Sequence, residues 1–244
     1  MSKIRLDQLL VQRELCDSRE QAKRLILANQ VLAEGFERLK PGLTVPGDAK
    51  ITIKEKPKYV GRGGFKLEGA LDHFGIDVSD RIGVDIGAST GGFTDCLLQY
   101  GAKHVYAFDV GTNQLVWSLR NDRRVTAREK FNCRNLTAED LPERGGIVVI
   151  DVSFISLTKI LPAAFEVLRK NGDLVCLIKP QFELNREDVG KGGIVRDEEL
   201  RVQAAKKIET FAVEELKKSW QGLMDSPIAG TDGNREFLAW IRHK

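Results

Sequence analysis

The sequence predicts a doubly wound α/β domain with an antiparallel last strand, preceded by a small α+β domain. Three observations lead there. After Arg81, short apolar runs alternate with helical stretches, the pattern of a parallel sheet covered on both faces. The first of those runs ends in a dense cluster of glycines, where a strand turns into a helix. Charge is unevenly spread: the net +3 resolves into 12 Lys/Arg against 8 Asp/Glu up to Lys58 and 26 against 27 afterwards, so a basic module precedes a near-neutral body.

The small domain reads as follows. Leu6, Leu9 and Leu10 follow helical spacing from Arg5 to Gln12. Asp17 and Ser18 offer N-caps, Ser18 and Gln21 have capping-box spacing, and a second helix runs to about Ala28 with Ala22, Leu25 and Ile26 inward. Short strands are expected at Val31 to Ala33, Leu43 to Val45 and Lys50 to Ile53, separated by Gly35, Pro41-Gly42 and Pro46-Gly47. The charged, Pro-interrupted Lys54 to Lys58 reads as a linker. The expected division is a first domain over 1–58, an interdomain linker over 59–64 and a second domain over 65–244.

In the second domain a helix is expected from Phe65 to Phe74. Strands are expected at Ile82 to Ile86, His104 to Phe108, Ile147 to Ile150 and Leu174 to Ile178. Helices alternate with them at Gly92 to Tyr100, Ile155 to Leu168 and Glu198 to Trp220. The chain closes with Gly222 to Ile228, a Gly-Thr-Asp-Gly-Asn turn and Glu236 to Ile241, an antiparallel hairpin.

Composition narrows the function classes. No apolar run approaches the roughly 18 residues of a spanning helix, and Met1 to Leu10 has no apolar core of a signal peptide, so a cytoplasmic chain without a membrane partner is expected. Cys16, Cys96, Cys133 and Cys176 lie far apart with no zinc-ligand spacing, so reduced thiols and no metal are expected.

The strongest local signal is Val84-Asp85-Ile86-Gly87-Ala88-Ser89-Thr90-Gly91-Gly92-Phe93. A phosphate-binding P-loop needs Gly-Lys-Ser/Thr at the helix start, and this loop has no Lys. A dinucleotide fingerprint needs Gly-x-Gly-x-x-Gly, whereas the spacing here is Gly-x-x-x-Gly-Gly. The acid-x-Gly-x-Gly-x-Gly loop of methyltransferases fits if Ser89 takes the middle glycine's place. Asp109, about 20 residues on at the end of the next strand, suits a carboxylate that accepts hydrogen bonds from ribose hydroxyls.

Four residues stand out for chemistry. Lys179 interrupts an apolar run where its strand leaves the sheet, and a buried lysine is rare unless paired. Asp151 ends a strand, Lys66 sits near a helix start and Glu236 opens the last strand. Taken singly, Asp151 reads equally as a helix cap, Lys66 as a solvated side chain, Glu236 as a surface partner of Arg235, and Lys179 as a lysine reaching to water.

Together with Trp117-Ser118-Leu119-Arg120-Asn121-Asp122, Ser153-Phe154-Ile155-Ser156-Leu157 and Lys179-Pro180-Gln181-Phe182-Glu183, these segments resemble the TlyA family of ribosomal RNA 2′-O-methyltransferases over essentially the whole chain. Arg5-Leu6-Asp7 through Lys23 is similar to an S-four-type RNA-binding module. The body is similar to a Rossmann-like, class I S-adenosylmethionine-dependent methyltransferase of the heat-shock ribosomal RNA type. The resemblance implies a catalytic tetrad at Lys66, Asp151, Lys179 and Glu236. It implies cofactor contacts at Asp85, Gly87, Ser89, Thr90, Gly91, Gly92 and Phe93, with Asp109 at the ribose and Asn132 near the adenine. It also implies transfer of a methyl group from S-adenosylmethionine to a ribose 2′-hydroxyl, a cytidine's, of 16S and/or 23S ribosomal RNA in ribosomal subunits.

On this reading Lys179 activates the hydroxyl, held by Asp151 and Glu236, with Lys66 orienting the substrate. RNA phosphates are expected at Arg5, Arg19 and Lys23, at Arg62, and near the active site at Arg134, Arg186 and Lys191. Two rivals are weighed: a non-catalytic RNA-binding assembly factor, which has no need of the tetrad, and a haemolysin, a label some relatives carry, which finds no membrane-active segment in this sequence.

Overall fold

The computed structural model describes residues 3–16, 18–54, 57–190, 192–230 and 233–243. Asp17 and Lys191, expected as an N-cap and an RNA contact, lie outside them, as does part of the expected linker. The chain divides into two compact units, Met1–Lys58 and Tyr59–Lys244.

The first unit comprises β1 (Lys3–Arg5), α1 (Leu6–Gln12), α2 (Arg19–Leu27), β2 (Val31–Ala33), β3 (Thr44–Pro46) and β4 (Ile51–Ile53). Ser18 caps α2, its hydroxyl accepting the Gln21 N–H at 3.2 Å. The inward stripes of the two helices, Leu6, Leu9, Leu10, Ala22 and Ile26, close over Val31 and Val45. Two short antiparallel pairs, β1–β3 and β2–β4, complete it. So small a core is reinforced by polar locks: Arg13 donates to the carbonyls of Ala49 and Gly47, both at 2.6 Å.

The second unit comprises α3 (Gly63–Phe74), β5 (Ile82–Ile86), α4 (Gly92–Gln99), β6 (His104–Phe108), α5 (Trp117–Arg120), β7 (Val125–Arg128), β8 (Gly145–Ile150), α6 (Leu161–Glu166), β9 (Leu168–Ile178), α7 (Pro180–Glu183), α8 (Glu198–Thr210), β10 (Ser219–Asp225) and β11 (Phe237–Arg242). Its seven strands lie in the order β10-β11-β9-β8-β5-β6-β7, parallel except for β11, which is antiparallel to both neighbours. Alternate residues of the central strands feed two cores. Ile147, Val149, Val175 and Leu177 join Leu67 and Leu97 on one face; Val148, Ile150, Leu174 and Cys176 join Ala164 and Ile208 on the other. That double burial is why these strands read as unbroken apolar runs. The order reverses between β5 and β8, so the carboxyl ends of β5, β6, β8 and β9 open onto one crevice, the usual ligand position in such sheets.

Several boundaries differ from expectation. Residues 59–64 are not a linker: Tyr59 is buried in the second unit, the Val60 N–H donates to Asp95 at 2.8 Å, and α3 begins at Gly63. The helix expected from Ile155 to Leu168 shrinks to a 3-10 turn at Leu157–Lys159 and to α6, because Pro162 fits only a first helical turn. The strand expected from Leu174 starts at Leu168. The helix expected to reach Trp220 stops at Thr210, passes through a π turn at Phe211–Glu215 and ends at the left-handed Lys217, which frees Trp220 to join β10 and pair with Ile241 of β11. The edge strand β7 had no sequence signal, since four residues of alternating burial are too few.

Candidate active site

Two adjoining cavities occupy the crevice. The larger, about 890 Å³, is lined by Gly87, Ser89, Asp109, Phe131 and Asn132 on one side and by residues from Asp151 to Ile160 on the other. The smaller, about 280 Å³, is lined by Lys66, Asp151, Ser153, Lys179, Gly230 and Glu236, among others. Gly87, Ser89, Asp151 and Ser153 line both.

The turn after β5 shapes the larger cavity. Gly87 has φ +87°, and a Cβ there would stand 2.3 Å from the Asp151 carbonyl oxygen, so only glycine lets β5 and β8 end so close together. The Gly87 and Ala88 N–H groups donate to the Phe108 carbonyl, at 2.9 and 3.0 Å. Ser89 holds φ +49°, the left-handed conformation of the glycine it replaces, and its N–H donates to Asp109 at 2.7 Å. The other Asp109 oxygen accepts the Gly111 N–H at 2.6 Å. A carboxylate has roughly four acceptor positions, so this one is fixed in place with capacity left for two hydroxyls. Asn132 is drawn into capping Cys133–Asn135, its oxygen accepting the N–H and the Nε–H of Arg134 at 3.2 and 3.1 Å.

Two expected cofactor contacts sit behind this turn. Asp85 is fully buried and lines neither cavity; one of its oxygens accepts the Thr94 hydroxyl at 2.6 Å, tying β5 to α4. Burial, with Asp151 and Asp109 adding repulsion and the Thr94 bond opposing, pushes its carboxyl up to about 7. Gly91 has φ +101° and packs against Leu115 and Leu119, which a Cβ would meet at 2.7 and 2.3 Å. Both residues therefore set the loop's shape without forming its wall. Thr90, Gly92 and Phe93 line the smaller cavity.

The four candidate catalytic residues converge on that cavity as two ion pairs. Lys179 Nζ lies 2.6 Å from Asp151 Oδ1 and donates to the Ser153 hydroxyl at 2.9 Å. Lys66 Nζ lies 2.5 Å from Glu236 Oε2, with both side chains buried. Glu236 thus holds Lys66, whereas the sequence reading had it hold Lys179. Close glycine packing brings α3 against α4, where a Cβ on Gly92 would meet the Gly64 nitrogen at 2.9 Å, and Gly230 leaves room for Glu236, whose Oε1 a Cβ there would meet at 2.7 Å. With both cations paired, the cavity carries no net charge from the tetrad. It combines ammonium donors with carboxylate acceptors around one small void.

Phe154, quoted in the sequence only as part of a motif, has a larger place here. It is 91% exposed, lines the larger cavity, holds φ +64° and rests on Phe182 with ring centroids 5.0 Å apart. A bulky side chain in left-handed backbone is a rare conformation, and no sequence pattern announces it.

The expected RNA contacts scatter. Arg62 lines the smaller cavity and donates to the Ala229 carbonyl at 3.1 Å; Arg134 lines the larger one; Arg186 is exposed and lines neither. In the first unit Arg5 grips the buried Asp7 with two hydrogen bonds, at 3.0 and 2.9 Å, and Arg19 adds a third at 3.1 Å. Lys23 pairs with Glu20 at 2.7 Å. These cations are partly spent inside the unit, although about half the Arg5 and Arg19 side-chain surface faces water.

A parallel sheet with one reversed strand, a glycine turn after β5, an acid after β6 and paired Lys–acid groups at the crevice define a Rossmann-like methyltransferase. The chain belongs to the FtsJ-like methyltransferase family, whose model matches residues 59–243, and an S4 domain matches residues 4–51. It is 44% identical over 240 residues to the 16S/23S rRNA (cytidine-2′-O)-methyltransferase TlyA of Mycobacterium tuberculosis, covering 98% of this chain and 89% of that one. It is 49% identical over 241 residues to a Bacillus subtilis protein, YqxC, described as a candidate rRNA methyltransferase, covering 97% and 84%. A solved structure from Streptococcus thermophilus, described as a candidate hemolysin, shares 46% identity with a TM-score of 0.76 and covers 100% of this chain and 90% of that one. No helix among the described residues is long and apolar enough to cross a membrane.

Proposed function

We propose that the protein transfers a methyl group from S-adenosylmethionine to a cytidine ribose 2′-hydroxyl of ribosomal RNA. The observation that carries this reading is the juxtaposition of the Lys179–Asp151 and Lys66–Glu236 pairs in a small cavity that shares a wall with the larger groove. The groove suits the cofactor. On this reading Asp109 would accept the ribose hydroxyls, Phe131 and Asn132 would hold the adenine, and the Gly87–Ser89 turn would hold the methionine part; Gly87, Ser89, Asp109, Phe131, Asn132 and Asp151 all line the one groove. When bound, S-adenosylmethionine supplies a methyl group already activated by its sulfonium charge, so positioning accounts for much of the rate.

The chain's own residues then serve the hydroxyl. Lys179 Nζ, fixed between Asp151 and Ser153, donates to the 2′-oxygen and stabilises the negative charge that grows on it. As the oxygen–methyl bond forms, Nζ releases one of its own protons to Asp151 Oδ1 and accepts the 2′-hydroxyl proton in its place, so the ammonium is regenerated and the net proton rests on Asp151. Lys66, steadied by Glu236, orients the ribose from the opposite side. Phe154 stands at the mouth as an apolar platform for the substrate's base or its neighbour. Arg62, Arg134, Arg186 and Lys191, with Arg5, Arg19 and Lys23 on the first unit, contact phosphates.

The test is nucleoside mass spectrometry of ribosomal RNA from subunits lacking the modification, before and after incubation with protein and S-adenosylmethionine. New 2′-O-methylcytidine supports the reading. A methylated base, or no new nucleoside with a protein that binds the cofactor, rejects it.

A further inference from the structure

The segments that follow β8 and β9 run side by side beyond the sheet and are stitched together at intervals. Lys179 meets Asp151 and Ser153, Phe182 supports Phe154, and Glu183 reaches Ser156 and Leu157. The last of these stitches has no place in the chemistry described above. Glu183 is only 4% exposed. One carboxylate oxygen accepts the Leu157 N–H at 2.8 Å and the other accepts the Ser156 hydroxyl at 2.5 Å. Lys207 of α8 approaches to 3.8 Å and donates to the Glu183 carbonyl. Burial pushes the Glu183 carboxyl up, while the Leu157, Ser156 and Lys207 contacts oppose it.

An acid buried this deeply is retained at a cost unless its hydrogen bonds are complete. What those bonds hold is the arc 153–157. Within it Phe154 is strained at φ +64°, and such a backbone persists only when both flanks are pinned. Ser153 is pinned by Lys179 on one side. On the other side the pin is Glu183.

We propose that Glu183 is a positioning residue of the methyl-transfer site. By anchoring Ser156 and Leu157 it keeps Ser153 against Lys179 and Phe154 at the cavity mouth, so the alignment of the Lys179 ammonium depends on it. The proposal rests on the function proposed above.

The test uses the full chain with S-adenosylmethionine and ribosomal subunits, comparing Glu183→Ala, Glu183→Gln, Ser156→Ala and Ser153→Ala below their melting temperatures. A glutamine can accept the Leu157 N–H and donate to Ser156, so Glu183→Gln should retain most turnover. Glu183→Ala should lose about 10- to 100-fold in kcat, as small misalignments of reacting groups do. In the Ser153→Ala background, where the link to Lys179 is already gone, Glu183→Ala should add little, since residues acting through one network are non-additive. Ser156→Ala, which removes one bond of two, should fall between and serves if Glu183→Ala does not fold. Wild-type turnover in Glu183→Ala, or losses from Glu183 and Ser153 that multiply independently, would overturn the proposal. An inactive wild-type protein would instead reject the functional reading itself.

Discussion

Lys179 Nζ sits 2.6 Å from Asp151 Oδ1, joining the carboxyl ends of adjacent strands β9 and β8 at the wall shared by the two cavities. The pair is built by strand pairing: Ile150 lies opposite Cys176, so the residues just beyond each strand leave the sheet side by side. Lys179→Ala should reduce methyl transfer by about 100-fold or more, the usual effect of removing one donor from a preorganised charge-stabilising site. Cofactor affinity, measured by calorimetry, should persist because Asp109 and the Gly87–Ser89 turn are untouched. Loss of cofactor binding in step with activity would show that Lys179 only maintains the groove.

The buried Asp85 makes stability depend on pH. Its folded carboxyl titrates at about 7, above the ordinary 3.8 of an unfolded chain, so folding favours the protonated form. The sign follows: this contribution is fully present below about pH 4 and is lost as pH rises toward 7. Asp85→Asn should therefore gain in melting temperature relative to wild type between about pH 5 and about pH 8. A constant difference across that range would show that Asp85 is not protonated in the fold.

Asp7 acts in the opposite direction. Hydrogen bonding to Arg5, its largest influence, and then Arg19 hold its carboxyl down at about 2 despite burial. A carboxyl lowered from 3.8 contributes stability above about pH 4 that is lost as pH falls toward 2. Hydrogen exchange at the Leu6 and Leu10 amides should report this loss in the wild type. In Asp7→Asn the acid dependence of those amides should flatten.

At the opposite end of the sheet Asp173 gathers Arg81 at 2.6 Å, the Trp240 Nε–H at 2.9 Å and Arg242 at 3.2 Å. Asp173→Ala should destabilise the second unit by about 3 kcal/mol in chemical denaturation, toward the low end for removing one partner of a buried pair, because both arginines retain some contact with water. A change below about 0.5 kcal/mol would place this cluster with ordinary surface ion pairs.

Phosphate contact by the first unit can be separated from its internal locks. Among the described residues Lys23 pairs only with the exposed Glu20, so Lys23→Ala should weaken RNA binding and reduce its salt slope by roughly one unit without lowering the melting temperature. Arg5→Ala should weaken binding and also destabilise the unit, since it leaves Asp7 buried with fewer partners. Equal melting losses in both variants would contradict that division.

Most of the crevice was legible in the sequence because its parts are local. Gly87 to Phe93 compress a strand end, a turn and a helix start into a few residues, and Asp109 follows one strand later. The tetrad was different. Lys66, Asp151, Lys179 and Glu236 each read as surface or capping residues alone, and only resemblance joined them. The antiparallel register of β11 brings Glu236 level with Lys179, since Phe237 pairs with Ile178, yet its carboxylate is taken by Lys66 of α3, a partner no strand pattern could announce. The resemblance implied a cofactor contact at Asp85, but a motif does not tell which side of a loop a side chain takes. Phe154 and Glu183 were illegible as site residues, since their roles depend on the arc they share beyond β8 and β9. Arg5 and Arg19 read as free basic charge because Asp7 looks like a helix-surface acid until the fold buries it.

The most direct test of the central claim is transfer of labelled methyl groups from S-adenosylmethionine to separate 30S and 50S subunits lacking the modification, by wild-type protein and by Lys179→Ala. The account predicts label in the RNA at a position resistant to alkaline cleavage, as a blocked 2′-oxygen requires, and its near absence with the variant. Label at an alkali-sensitive position, or equal labelling by both proteins, would contradict it.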